Sequence, residues 1–301
     1  MFTENNKSGE NMIKNEIVLK NSIRTTNNIF GGITERDQRM ALVDAYSLHG
    51  KKTLITGAAS GIGRAISIRF AEAGSNLMLI DKDEKGLQDL STELEQYDIQ
   101  KQDYSFDLSY KDNIDSFWKN LDESVPDILI NNAGIYPFMD YMKVDRDFYE
   151  KTLEVNLSSV FWMCQNFIRQ RANSGGVIVN TSSIEAVTPF KEDLAHYSIS
   201  KAGVIALTKS LARDYGRKGF RVNAILPGAI RTPGTENLIR KALRGLQLKL
   251  IKTAIDFNSR LTLGRWGKPD EVAKVVLFLS CDLSSYVQGT VIPVDGGFLS
   301  S

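Results

Sequence analysis

Short apolar runs alternate with amphipathic stretches from Lys51 to the end of the chain. Between the runs, apolar residues recur at the three- and four-residue intervals of helices that cover a core. The runs predict strands at KTLIT, NLMLI, DILIN, VIVNTS, RVNAIL and GTVIPV, with QDYSFD as a weaker one. Near-continuous apolar strands that alternate with helices form parallel sheets covered on both faces. The pattern therefore predicts an α/β fold, a doubly wound parallel sheet of about seven strands with helices on both faces.

The first 45 residues lack this alternation. They are rich in Asn, Lys, Glu and Thr, and IVLKNSI is their main apolar cluster. We interpret residues 1–45 as an N-terminal extension, partly disordered, and residues 46–301 as a single domain. Within that domain, residues 229–262 form an insert whose pattern predicts a helical lid.

Composition and charge argue against some classes of partner. The chain has 301 residues, of which 42% are hydrophobic and 24% charged, and its net charge of +1 offers no electrostatic footprint for nucleic acid. No apolar run approaches the roughly 18 residues that span a bilayer. The N-terminus also lacks the uninterrupted apolar core of a signal peptide. We therefore expect a cytoplasmic protein with no nucleic-acid partner and no membrane partner.

The cysteines and potential metal ligands are sparse. Cys164 and Cys281 are too few for a disulfide framework, and we expect both to be buried thiols in a reducing compartment. No cluster of His, Cys and carboxylate residues has the spacing of metal ligands. We expect no bound metal.

A glycine-rich stretch, TGAASGIG at residues 56–63, directly follows the first predicted strand and opens a helix. Gly57, Gly61 and Gly63 leave room for a tight turn and for the close approach of a pyrophosphate, and the helix N-terminus supplies backbone donors and the positive end of its dipole. The spacing GxxxGxG differs from the GxGxxG fingerprint. The loop alone could be a plain turn, but its place between a strand and a helix favours a dinucleotide.

Acidic residues end the next two predicted strands. Asp81 lies about 20 residues beyond the glycine loop, where a carboxylate accepts both ribose hydroxyls of an adenosine and repels a 2′-phosphate. We therefore expect NAD rather than NADP as the cofactor, although Lys82 directly after Asp81 favours NADP. Asp107 is placed to bind the adenine amino group, and Leu108 is placed to pack against the ring.

The stretch HYSISKAGV places Tyr197 and Lys201 one helical turn apart on the same face. If both face a cleft, the ammonium stabilises the phenolate and lowers the pKa of the tyrosine from its usual value of about 10. A surface pair is the alternative for this motif in isolation. His196 points elsewhere on the helix, which indicates a structural or rim role.

Four motifs in one order, TGAASGIG, NNAG, NTSS and YSISK, resemble those of the short-chain dehydrogenase/reductase family with a single Rossmann domain. The resemblance covers residues of about 48 to 299. It implies an oxidoreductase that moves hydride between a nicotinamide and the carbinol or carbonyl carbon of a small-molecule substrate. Residues 46–301 would then be the catalytic domain.

The resemblance assigns catalytic roles to four residues. It implies that Tyr197 is the general acid/base and that Lys201 binds the nicotinamide ribose and lowers the tyrosine pKa. Ser183 resembles the serine that holds the substrate oxygen, with Ser182 as the alternative because Ser183 lies one residue further from the tyrosine than is usual. Asn156 matches the asparagine that kinks its helix and holds a water in the proton relay.

The resemblance also implies cofactor contacts along the whole strand edge. NNAG would close over the adenosine, and PGAIRT would lie beside the nicotinamide carboxamide. The expected contacts are Gly57, Ser60, Gly61, Ile62, Gly63, Asp81, Asp107, Leu108, Asn131, Ala133, Gly134, Tyr197, Lys201, Pro227, Gly228, Ile230 and Thr232. Independently of any family, six features each follow a separate predicted strand, and the carboxyl ends of such strands share one ligand-binding edge. They are the glycine loop, Asp81, Asp107, Asn131, Ser183 and Pro227.

The substrate pocket is expected from IEAVTPFKEDLAH and from the lid. The lid is basic, with Glu236 and Asp256 as its acidic residues, and it would be either a solvated helix face or a surface that attracts an anionic substrate. Its cations are Arg231, Arg240, Lys241, Arg244, Lys249, Lys252 and Arg260.

TLGRWGKPDEV and VQGTVIPVDGG resemble the C-terminal part of sugar, polyol and 3-oxoacyl-group members, which implies a homotetramer. The leading hypothesis is an NAD-dependent dehydrogenase of a sugar, sugar acid or polyol. The alternatives are a 3-oxoacyl carrier-protein reductase and a non-catalytic NAD-binding scaffold or redox sensor. Binding alone needs no proton relay, so the four catalytic-type residues argue against the scaffold.

Overall fold

The computed structural model describes residues 40–121, 125–244 and 257–301, without the side chains of residues 238, 239 and 241–244. The described residues from Leu42 to Ser301 belong to one compact unit. Nearly all of the predicted extension and residues 245–256 of the predicted lid lie outside the described residues.

Seven strands form one sheet in the order β3-β2-β1-β4-β5-β6-β7, and every neighbouring pair is parallel. This confirms the doubly wound sheet that the apolar runs predict. The chain moves outward from β1 in one direction and then returns to start again at β4, so the carboxyl ends of β1 and β4 flank the point where ligands bind in such sheets. The strands are β1 Lys52–Thr56, β2 Asn76–Asp81, β3 Lys101–Ser105, β4 Ile128–Asn131, β5 Gly176–Thr181, β6 Phe220–Pro227 and β7 Val291–Val294.

Helices cover both faces of the sheet because successive strand residues point to opposite sides. In β2, Leu77 and Leu79 belong to one buried cluster, while Met78 and Ile80 belong to another. Helices α2 and α9 contribute to the first cluster, and α4, α6 and α7 contribute to the second. The α-helices are α1 Leu42–Tyr46, α2 Gly61–Glu72, α3 Glu84–Glu93, α4 Lys111–Lys119, α5 Arg146–Leu153, α6 Ser159–Gln170, α7 Ala195–Tyr215, α8 Pro233–Arg244 and α9 Pro269–Ser280.

The helical stretch before β5 is not continuous. A π-helical turn, Glu154–Ser158, separates α5 from α6. The side chain of Asn156, at the centre of this turn, accepts a hydrogen bond from the Ile135 N–H at 2.8 Å and donates one to the Ile135 carbonyl at 2.9 Å. These bonds tie the turn to the segment that follows β4, and such π turns are frequent at functional sites.

No helix of the described residues is both long and apolar enough to cross a membrane. In the same part of the chain, no three His, Cys, Asp or Glu side chains come together in a group that could hold a metal ion.

Candidate active site

The glycine loop after β1 is packed so closely that it excludes side chains. Gly57 has φ +66°, and a Cβ there would lie 2.8 Å from Ala133 Cα. A Cβ at Gly63 would lie 1.9 Å from the carbonyl oxygen of Gly57. Gly61 also has a positive φ, +56°. The loop therefore needs glycine at these three positions for its own backbone geometry.

The segment after β4 is bound to the glycine loop. The Thr56 hydroxyl accepts hydrogen bonds from the backbone N–H groups of Asn132 at 3.0 Å and Ala133 at 3.1 Å. The Asn132 side chain in turn donates to the carbonyls of Thr56 and Gly57, each at 3.2 Å. The two loops at the sheet's switch point thus form one rigid unit.

The N-terminus of α2 suits a pyrophosphate. Ser60 precedes the helix in extended conformation, and its side chain makes no capping hydrogen bond. The first N–H groups of a helix have no intrahelical acceptor, and together with the dipole they favour an anion. Ile62 lies in this first turn. The loop and helix end therefore fit the phosphates of a dinucleotide.

Asp81 ends β2 and faces the same loop. Its Oδ2 accepts a hydrogen bond from the Ala59 N–H at 3.0 Å, and its Oδ1 accepts one from the Asp83 N–H at 3.1 Å. The carboxylate is therefore fixed beside the glycine loop, with lone pairs on both oxygens left for ribose hydroxyls. Lys82, the residue that favours NADP in the sequence, is exposed.

Asp107 lies just beyond β3 and is already engaged. Its Oδ1 accepts from the Ser109 N–H at 2.9 Å, and Lys151 Nζ lies 3.3 Å from its Oδ2. Burial acts to raise the pKa of this carboxyl, but the hydrogen bonds from Ser109 and Lys151 outweigh burial and hold the pKa below its usual range. An adenine amino group would share a carboxylate that Lys151 holds. Leu108 beside it is buried in the hydrophobic core.

The Asn131 side chain points into the protein. Its amide donates to Asn180 Oδ1 at 2.9 Å and to Cys164 Sγ at 3.3 Å, and Asn180 donates in turn to the Thr208 hydroxyl at 2.9 Å. Because these bonds occupy the amide donors, a cofactor contact at this residue is left to its backbone. Ala133 and Gly134 follow directly at the sheet edge, where the sequence predicts the adenosine.

The structure distinguishes the two candidate serines. Ser183 is hydrogen-bonded to the side chain of Tyr197 and accepts from the Glu185 N–H at 3.2 Å. Ser182 points the other way, since its hydroxyl donates to the Lys201 carbonyl at 2.7 Å in a buried position. Ser183 is thus the serine that lies beside the tyrosine.

Lys201 is buried beside Tyr197. Its Nζ donates to the Thr181 carbonyl at 3.0 Å and lies 6.0 Å from the centre of the Tyr197 ring. A Cβ at Gly134 would lie 3.3 Å from this Nζ, so the segment after β4 closes over the amine. Burial lowers the pKa of Lys201 to about 8.

The pKa of Tyr197 moves in the opposite direction to the one that the motif predicts. Burial raises it to about 12; the hydrogen bond from Ser183 lowers it, and the negative charge of Glu185 raises it further. From the motif alone, Lys201 would be the dominant influence on the pKa of Tyr197. In the folded protein, burial of both groups dominates and disfavours their charged forms.

Asn156 and the loop after β6 complete the edge. Asn156 is fully buried and donates to the Ser200 hydroxyl at 3.3 Å, beside its two bonds to Ile135. Thr232 meets the glycine loop, because a Cβ at Gly61 would lie 3.2 Å from its methyl carbon. The residues that lead from β6 to Thr232 follow the same edge: Pro227 ends β6, Gly228 packs against Asp295, and Ile230 is buried.

Three residues near Tyr197 have no role that the sequence predicts. Tyr136 contacts its ring edge-on, with ring centres 4.6 Å apart. Glu185 is buried two residues after Ser183, and Lys191 lies over the Tyr136 ring at 5.4 Å. Glu185 and Lys191 belong to a segment expected to shape the pocket, but their spacing marks no role. His196 is buried, with Nε2 hydrogen-bonded to the Pro137 carbonyl at 2.9 Å.

The lid cations are only partly described. Arg240 forms an exposed pair with Glu236 one turn away at 3.8 Å, and the Arg260 guanidinium lies 5.1 Å from the centre of the Phe190 ring. Arg231 is exposed. The Lys241 and Arg244 side chains, and residues Lys249 and Lys252, lie outside the described residues.

A glycine loop at a helix N-terminus, a fixed carboxylate at the end of the next strand and a buried Ser-Tyr-Lys cluster share one sheet edge, which fits an oxidoreductase that uses a nicotinamide cofactor. A family model described as enoyl-(acyl carrier protein) reductase matches residues 57–299. The chain belongs to the short-chain dehydrogenase/reductase family.

Individual relatives differ in substrate. The 3-oxoacyl-[acyl-carrier-protein] reductase of Thermotoga maritima is 38% identical over 258 residues, which are 84% of this chain and 99% of that protein. A candidate NAD(P)-dependent gluconate 5-dehydrogenase of Beutenbergia cavernae, with NADP bound at low occupancy, superposes with TM-score 0.78 at 30% identity, over 85% of this chain and 100% of that one. A candidate 2-deoxy-D-gluconate 3-dehydrogenase of Agrobacterium tumefaciens with bound NADP gives TM-score 0.74 at 30% identity, over 86% and 100%.

Proposed function

We propose that this protein is an NAD-dependent dehydrogenase of a sugar, sugar acid or polyol. The observation that carries the proposal is the geometry around Tyr197, hydrogen-bonded to Ser183 and one turn from the buried amine of Lys201. This cluster suits proton transfer to and from a substrate oxygen. The solved relatives described as gluconate dehydrogenases support the substrate class.

NAD is the proposed cofactor on the strength of Asp81. Two backbone N–H groups hold its carboxylate at the glycine loop, and a fixed negative charge there repels a 2′-phosphate. The two solved relatives contain NADP, so the choice needs a direct measurement. Bound NAD supplies an acceptor for the hydride that leaves the carbinol carbon.

In the oxidation direction, Ser183 and Tyr197 hold the substrate hydroxyl and Tyr197 takes its proton. From the value of about 12, a pKa near 7 requires about 7 kcal/mol of preferential phenolate stabilisation, at 1.36 kcal/mol per unit. A unit positive charge about 4 Å away contributes about 4 kcal/mol at the effective dielectric of a protein site. A cationic nicotinamide ring at that distance would contribute this much, and the ammonium of Lys201 acts in the same direction.

Asn156 acts one step away from the substrate. Its amide fixes the backbone of Ile135 and reaches the Ser200 hydroxyl, and Ser200 donates to the Tyr197 carbonyl at 2.6 Å. In the proposed reaction it orders the polar groups, including a water, that return the proton of Tyr197 to solvent.

A 3-oxoacyl carrier-protein reductase is the second candidate, favoured by the Thermotoga maritima relative. Retention of Ser183, Tyr197 and Lys201 in one buried cluster argues against a redox sensor that only binds NAD. We also propose a homotetramer, which size-exclusion chromatography with light scattering tests, and a cytoplasmic location, in keeping with two buried free thiols, Cys164 and Cys281.

A cofactor titration followed by a substrate panel tests the function. Purified protein is titrated with NADH and NADPH, then supplied with polyols, aldonates and 3-oxoacyl thioesters while the nicotinamide absorbance is read. Tighter NADH binding with polyol or aldonate turnover is the expected result. NADPH preference with thioester reduction would establish the second candidate instead.

A further inference from the structure

A buried carboxylate fixes the loop between the catalytic serine and tyrosine. Glu185 is 3% exposed, and its Oε2 accepts a hydrogen bond from the Phe190 N–H at 2.9 Å. The backbone N–H of Lys191 donates to the same carboxylate. Glu185, two residues after Ser183, therefore holds the turn that carries Phe190 and Lys191.

The ammonium of Lys191 lies in a cage of three aromatic rings. It is 5.4 Å from the ring centre of Tyr136, 5.8 Å from that of Phe257 and 5.9 Å from that of Phe138. Contacts of this kind hold a cation in a poorly hydrated place. The rings come from two separate parts of the chain and the ammonium from a third, so the position of the ammonium is set by the fold and not by the loop alone.

The cage lies next to the reacting centre. The Tyr136 ring that contacts the ammonium also contacts the Tyr197 ring edge-on at 4.6 Å between centres. The distance from the ammonium of Lys191 to the centre of the Tyr197 ring is therefore at most the sum of this distance and the 5.4 Å between the ammonium and the Tyr136 ring. The two groups are therefore close enough for one small molecule to contact both.

Lys191 has no close anionic partner among the residues that the structure describes. Glu185 acts on it electrostatically but forms no ion pair with it within 4.0 Å, and Glu185 itself is satisfied by two backbone N–H groups. Burial also lowers the pKa of Lys191. A half-buried ammonium with no ion pair among the described residues can bind an anionic group of a substrate.

We propose that Lys191 is the specificity-determining residue of this site and binds the carboxylate of a polyhydroxylated carboxylic acid, an aldonate. The inference rests on the proposed function and narrows its substrate class from sugars, polyols and sugar acids to the acids. It assigns recognition of the anion to the caged lysine rather than to the exposed lid residues Arg231, Arg240 and Arg260. The reacting hydroxyl then lies at Tyr197 while the carboxylate lies at Lys191.

The test compares matched substrates in matched variants. Six-carbon aldonates and the corresponding alditols differ chiefly in the carboxylate. Lys191→Met removes the charge and keeps an unbranched apolar stem in the cage, whereas Lys191→Arg keeps the charge. Lys209→Met, at an exposed position on the same helix as Tyr197, is the control for loss of one positive charge.

The wild-type protein is expected to oxidise at least one aldonate with kcat/KM about 30-fold above that of its alditol. In Lys191→Met the KM for the aldonate should rise about 30-fold, the effect of removing one partner of a desolvated charge pair, with kcat and alditol turnover changed less than about threefold. Lys191→Arg should recover most of the loss, and Lys209→Met should behave as the wild type. Unfolding midpoints in urea check that each variant is folded.

A second readout does not depend on turnover. Aldonates are titrated into the protein saturated with NADH, and the change in nicotinamide fluorescence gives the Kd. Aldonate binding that weakens about 30-fold in Lys191→Met supports the inference even if the wild type oxidises none of the panel. That absence of turnover would refute the proposed function alone. Turnover of alditols with no preference for aldonates, or equal losses on both in Lys191→Met, would overturn the inference and leave the proposed function standing. No aldonate binding at all would overturn it as well.

Discussion

Replacing Ser182 and Ser183 separately by alanine tests the site at its most specific point. The Ser182 hydroxyl donates to the Lys201 carbonyl at 2.7 Å, and its loss costs about 1 kcal/mol of stability. Ser183→Ala removes the acceptor for the Glu185 N–H, which costs about 1 kcal/mol as a lost cap, and also removes the bond to Tyr197. Ser183→Ala should therefore be destabilised at least as much as Ser182→Ala.

Their activities should differ widely. Ser183→Ala loses a donor aimed at the substrate oxygen, and removal of one such donor lowers kcat by about 10²–10³. Ser182→Ala keeps every group that faces the pocket and should retain kcat within about threefold. Steady-state rates at the nicotinamide absorbance, with urea unfolding of both variants, measure the contrast. A loss of kcat in Ser182→Ala equal to that in Ser183→Ala would refute the assignment.

Three further predictions follow from the same site. Tyr197→Phe should abolish turnover while NADH still binds by fluorescence titration, and near-normal turnover would exclude the mechanism. The pKa of Tyr197 is about 12 in the folded protein, whereas that of an ordinary tyrosine is about 10. The native state therefore holds this proton more tightly than the unfolded state, and stability should fall as the pH rises from about 10 to about 12. Urea midpoints should show a smaller fall in Tyr197→Phe than in the wild type. Asp81→Ala should weaken NADH binding and shift the preference toward NADPH by about tenfold or more, and an unchanged NADH/NADPH ratio would show that Asp81 does not contact the ribose.

The strands could be predicted because each is a short apolar run between polar turns. In β2, for example, NLMLI is buried almost throughout, and its alternate residues feed the two hydrophobic clusters. The apolar pattern does not mark the helix break at Asn156, which only the family resemblance implied. The apolar pattern continues through EVNLSSV, and the π turn is bound by hydrogen bonds to Ile135, which lies in another part of the chain.

The site was predictable where a motif fixes local geometry and not where tertiary contacts decide it. Spacing alone left Ser182 and Ser183 as alternatives, whereas neighbouring residues at a strand end point in opposite directions, so only Ser183 reaches Tyr197. The cage around Lys191 joins loops that follow different strands, and no sequence spacing encodes it.

Burial gives the Tyr197–Lys201 pair a property that the motif does not convey. Both pKa values move toward the neutral forms, to about 12 for the tyrosine and about 8 for the lysine. At neutral pH the protein's own groups therefore keep the tyrosine protonated and unreactive as a base. Positive charge added to this desolvated site acts at low dielectric, where its effect on the phenolate is largest. In the proposed function, binding of oxidised cofactor is the event that brings this charge, so the same step that supplies the hydride acceptor also activates the base.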